Sequence, residues 1–198
     1  MISKVIRRTH MYLALFLTPW MLMYALSTMA MNHRTFFQEI HGDGPPAYQL
    51  EQETIYPGTF PENARPRMVA DQILASLDLE GSFTVRGRMD GDHLTILRQN
   101  PIDLRRITYY PADGKLRVER QAFRTSTFLE RMHRRRGYQH NFFLDDTWAV
   151  SVDLVIVAMI FWVASGIWMW WELQATRRWG ALSALSGVAL FGFFLITI

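Results

Sequence analysis

Residues 147–171, TWAVSVDLVIVAMIFWVASGIWMWW, limit the fold more than any other stretch. Their length matches the roughly 20 apolar residues that carry a helix across a bilayer's hydrocarbon core. Asp153, near the start, is the only internal charge. At headgroup level it favours a helix N-terminus; deeper, it would be a functional acid. The run closes on Trp168, Met169, Trp170 and Trp171, the aromatic belt of a helix meeting headgroups.

Two more runs share this character. Residues 11–31 carry no charge and follow Lys4, Arg7 and Arg8. A basic start before an apolar stretch also opens a signal peptide, but this run is long for a signal core and Ser27–Ala30 makes a poor cleavage site. It reads as a retained helix, and Pro19 predicts a kink near residues 16–20. Residues 179–198 are uncharged and hold Gly180, Ser183, Ser186 and Gly187, small residues that let helices approach closely. Lys4, Arg7 and Arg8, and then Arg177 and Arg178, flank the spans in short segments, which places both on the cytoplasmic side.

The expected architecture is a membrane α-helical protein. Residues 1–10 are a cytoplasmic N-terminus. Transmembrane helices span 11–31, 147–171 and 179–198, with a cytoplasmic turn at 172–178. Residues 32–146 form a periplasmic α+β domain between the first and second helices, and the C-terminus faces the same side. This describes a multi-pass protein of a bacterial inner membrane.

Within the middle segment, Gly42, Gly44, Pro45, Pro46, Pro57 and Pro61 predict a surface loop from the first span to Pro61. Val69, Ile73, Leu74 and Leu77 share a face at helical spacing, so residues 65–77 read as a helix opened by Pro66. Alternation predicts strands around 83–85, 94–96 and 107–109. Pro111-Ala112-Asp113-Gly114 marks a hairpin turn. Beyond it, Leu116 and Val118 face in, and Lys115, Arg117 and Glu119 face out. Thr127 and Glu130 have the spacing of a capping box, which predicts a short helix to Arg136, closed by Gly137.

The chain has no cysteine, which excludes disulfides, thiolate metal sites and thiol catalysis. No nucleophile-base set, phosphate loop, dinucleotide fingerprint or metal-binding helix motif appears, so a catalytic role on a small-molecule substrate is not expected. The net charge of +3 suits a membrane protein with cytoplasmic arginines and does not point to nucleic acid. Histidines are the candidate cofactor ligands. A b-type haem wants two opposed imidazoles. His10 and His33 bracket the first helix, roughly 35 Å apart at about 1.5 Å per residue, and cannot share one. His33, His133 and His140 gather near the outer ends of the first two helices and are the candidate haem ligands. His10 would need a ligand from another subunit. The competing reading has all four contact headgroups or a neighbouring chain. Arg131, Arg134, Arg135 and Arg136 are the densest charge cluster, suited to an anionic lipid headgroup, a haem propionate or an acidic partner. The alternative is a solvated helix end.

Several pieces, in order, form a pattern: Arg8-Thr9-His10, Ala25-Leu26-Ser27-Thr28, Tyr110–Leu116 with its Asp-Gly-Lys hairpin, Arg131-Met132-His133, and Ser165-Gly166 with Trp170-Trp171. Together they resemble the PepSY-associated transmembrane family over nearly the whole chain up to Arg178. Some members are similar to haem-containing siderophore-iron reductases, but members usually carry more spans than the three read here. The resemblance implies a PepSY-like outer domain. It leaves three roles open: a non-catalytic subunit packed against a larger redox complex, respiratory or photosynthetic; a haem b electron-transfer protein; or a module that binds or restrains another exported protein. The expected partners are the bilayer and other membrane subunits.

Overall fold

The structure is a computed structural model that describes residues 2–42, 44–61, 63–79, 81–135, 137–138 and 142–198. The element order is α1 (Ile2–Asn32), α2 (Arg34–His41), β1 (Tyr48–Ile55), α3 (Pro66–Ser76), β2 (Phe83–Gly87), β3 (Leu94–Arg98), β4 (Arg105–Tyr110), β5 (Lys115–Gln121), α4 (Thr125–Arg134), α5 (Phe143–Glu172), a 3-10 turn (Gln174–Thr176) and α6 (Arg177–Thr197). Three helical segments are long and apolar enough to cross a membrane: Ile2–Asn32, Phe143–Glu172 and Gln174–Thr197. A small antiparallel sheet domain lies between the first and second in sequence. The first two helices outrun the apolar runs that predict them. Lys4, Arg7 and Arg8 lie on α1 itself, consistent with the good helix propensity of long basic side chains. Pro19 lies inside α1 without ending it.

The chain divides into two compact units, Met1–Met21 with Val152–Ile198, and Leu22–Ser151. In the first, the N-terminal part of α1 runs antiparallel to α5. Leu17, Val155 and Ala158 are buried between them, with Leu13, Trp20, Met159 and Trp162 packed around. His10 stacks on Trp162 at 5.4 Å between centroids, and its Nδ1 lies 2.9 Å from Ser165 Oγ. Ser165 Oγ–H donates to Trp162 O at 2.8 Å, so the His10 Nδ1–H is the donor to Ser165. The Trp170 indole N–H donates to Arg177 O at 3.2 Å. A Cβ on Gly180, in the first turn of α6, would fall 2.1 Å from that indole nitrogen, so a side chain there would push the Trp170 ring aside. No residue of α6 is buried.

The second unit holds a five-stranded sheet of order β1-β5-β4-β3-β2, every pairing antiparallel. Strand alternation puts Leu94, Ile96, Ile107, Tyr109, Leu116 and Val118 on one face, where α3 covers them with Val69, Ala70, Ile73 and Leu74. Pro66 occupies the first turn of α3, where its missing N–H has no cost. The hairpin turn after β4 closes through Gly114 at φ +62°.

Three expectations are corrected. Residues up to Pro61 are not a continuous loop, because α2 and β1 lie within them. The sequence YQLEQETI conceals β1, since an edge strand with both faces largely solvated has no apolar alternation to show. Glu53 of β1 pairs with Lys115 of β5 at 2.8 Å, which holds its carboxyl below the usual range. Glu119 does not face water. It is 6% exposed, held by Arg106 at 2.7 Å and Arg117 at 3.3 Å, and such pairing lets a carboxylate be buried. Finally, α4 begins at Thr125 with no side-chain cap and ends at Arg134. Thr127 is inside the helix, and Glu130 turns to Arg34 and Arg134 instead of capping. Arg136 lies outside the described residues.

Tyr109, 3% exposed, carries a phenol whose pKa burial pushes up, with Tyr56 adding to the shift. Above about pH 10 the unfolded chain releases this proton while the folded chain keeps it, so stability falls as pH rises. Denaturant midpoints of wild type and Tyr109→Phe, followed by the far-ultraviolet sheet signal from pH 8 to 11, should diverge. The wild type should show the steeper loss.

Candidate functional site

An arginine-lined cleft lies within the Leu22–Ser151 unit. Helix α2 contributes Arg34, Phe37, Gln38 and His41, whose i, i+3, i+4, i+7 spacing makes one stripe. From α4 and its flanks come Arg124, Thr127, Glu130, Arg131, Arg134 and Arg135. The loop between β3 and β4 supplies Gln99 and Asn100, the end of α1 supplies Ala30 and Met31, and the start of α5 supplies Asp145. The cavity has a volume of about 720 Å³, within the range of small-ligand sites.

Five guanidinium groups here face two carboxylates. Glu130 Oε1 accepts from Arg34 and from Arg134, each at 3.1 Å. Asp145, 4% exposed, pairs with Arg135, whose guanidinium lies 5.6 Å above the Trp148 ring. Both acids are therefore matched. The other two arginines bond neutral oxygens. Arg124 donates to Gly44 O at 3.1 Å. Arg131 donates to Gln121 Oε1, and the Gln121 amide is oriented by its own donation to Pro46 O at 2.9 Å. Burial pulls the Arg131 pKa below the usual arginine range, outweighing the opposite pull of nearby Tyr48 and Glu130.

Of the arginines singled out in the sequence, Arg131, Arg134 and Arg135 line this cleft, and Arg136 lies outside the described residues. Arg34, Arg124 and His41 join them without having been anticipated. The α2 stripe was the available signal, masked by the glycines and prolines that follow it.

Two of the candidate haem ligands, His33 and His133, lie among the described residues. His33 is exposed in the turn between α1 and α2. His133 is half-buried on α4, with Nδ1 2.7 Å from Ser27 Oγ and its ring edge-on to Tyr24 at 5.0 Å. Ser27 is fully buried and donates its hydroxyl hydrogen to Tyr24 O at 2.8 Å, so His133 donates to it from Nδ1. His140 lies outside the described residues. Among the described residues no three His, Asp or Glu side chains converge as metal ligands. Asp153 is exposed on α5.

Compared with protein-family models, curated proteins and solved structures, the chain matches none of them.

Proposed function

We propose that the chain is a non-catalytic accessory subunit of a bacterial inner membrane, of the PepSY-associated transmembrane type. In this reading the N-terminus and the α5–α6 turn are cytoplasmic, and the sheet domain is periplasmic. One observation carries it: beyond Arg178, α6 is apolar to its end, and it has no buried residue. A helix apolar all round needs lipid or other helices around it. Small residues at Gly180, Ser183, Ser186 and Gly187 favour a helix partner over lipid alone on one side. The non-catalytic character rests on the sequence, which offers no nucleophile-base pattern. The redox nature of the host complex rests on the resemblance alone.

Size-exclusion chromatography with light scattering, on native membranes solubilised in mild detergent, tests the subunit role. The chain should elute in an assembly much larger than its own micelle and shift with it in native gels. Elution as a lone monomer under conditions that keep other complexes intact would end the reading.

A further inference from the structure

We propose that the arginine-lined cleft binds a phosphate-bearing anion, the headgroup phosphate of an anionic phospholipid. Charge comes first. Glu130 and Asp145 are already matched by Arg34, Arg134 and Arg135, while Arg124 and Arg131 hold only neutral oxygens. Two guanidinium groups without a carboxylate at their forks leave the cleft short of negative charge. Geometry comes second. A guanidinium presents paired N–H donors that match phosphate oxygens, and Arg124, in extended backbone just before α4, and Arg131, within α4, both line the cleft. Half-buried Arg131 has lost hydration that an anion would replace, in keeping with its lowered pKa.

Position selects the lipid as the source. Ala30 and Met31 line the cleft and are the last residues of the first apolar run. Asp145 lines it too and just precedes the second run. The cleft thus lies where the chain leaves its apolar stretches, the depth of lipid phosphates. The phosphate chemistry stands independently of the accessory-subunit reading. Only the lipid source rests on that reading's topology.

The test uses the full chain in nonionic detergent and in nanodiscs of phosphatidylcholine. Inorganic phosphate and short-chain phosphatidylglycerol are the two probes, read by native mass spectrometry and by titration. Phosphatidylglycerol should be retained about tenfold over phosphatidylcholine, and Arg124→Gln with Arg131→Gln should lower that retention about tenfold. Arg88→Gln, an exposed arginine in another hairpin, should change nothing. Arg131→Lys, which keeps the charge and loses the fork, should fall between. If the double variant fails to fold by circular dichroism, Arg124→Gln alone carries the test, since that side chain holds only one backbone oxygen. Phosphate binding without preference for phosphatidylglycerol would keep the anion site and make its ligand a soluble phosphate. Binding of neither probe, or a folded variant that binds like wild type, overturns the proposal. Phosphate binding in detergent requires no topology, so an inverted orientation would leave that arm standing.

Discussion

Arginine in place of Ile160 is expected to cost α5 about 3 kcal/mol of insertion free energy, roughly a hundredfold in the insertion equilibrium. Ile160 lies near the middle of Phe143–Glu172 and is 63% exposed. The exposure gives the experiment its force. If α5 were a helix in water, an arginine at an exposed position would be harmless and would improve solubility. In hydrocarbon the same position is where a guanidinium is most costly, since its distance from either interface prevents the side chain from reaching water. Ile160→Leu should insert like wild type. The check is the fraction of chain resistant to alkaline carbonate extraction, which should drop sharply for Ile160→Arg alone.

Ile107→Ala should unfold much of the sheet domain under mild conditions. Ile107 is fully buried in β4 and is directly paired with Val118 on β5 and Ile96 on β3, both in the core beneath α3. Removing its outer carbons loses burial and leaves a cavity that flanking strands cannot close, at about 2–5 kcal/mol. For a domain of this size that corresponds to a fall in melting temperature of about 10–30 °C. Ile107→Val should lose only about 0.5–1.5 kcal/mol. Because the loop between β3 and β4 lines the arginine cleft, the alanine variant should also lose cleft chemistry, while the valine variant keeps it.

The elements legible in the sequence were those with an apolar period to show. Val69, Ile73 and Leu74 announced α3, and Leu116 with Val118 announced β5. The long apolar runs announced α1, α5 and α6. Helix α2 and strand β1 were not legible. RTFFQEIH places no residue in a core, and YQLEQETI lies at a solvated edge, so neither carries the periodicity that burial imposes. Buried Glu119 was hidden for a related reason. Its neighbours Arg106 and Arg117 come from two strands, and a spacing rule within one strand cannot foresee such pairing. The arginine cluster was visible as charge. Its matching was not, because Arg34 reaches Glu130 across many positions of chain. Of the histidines, the bond of His133 to Ser27 was not legible either, because it joins α4 to α1 across many positions of chain.

The topology is the claim on which the functional reading stands. This chain has no cysteine, so a single introduced thiol reports its own compartment. Asp113→Cys, in the exposed turn between β4 and β5, and Gln174→Cys, in the exposed turn before α6, are to be treated in intact cells with a membrane-impermeant maleimide. The account predicts rapid labelling at position 113, and labelling at 174 only after the membrane is permeabilised. Labelling of 174 in intact cells with 113 protected, or equal labelling of both in intact cells, would contradict it.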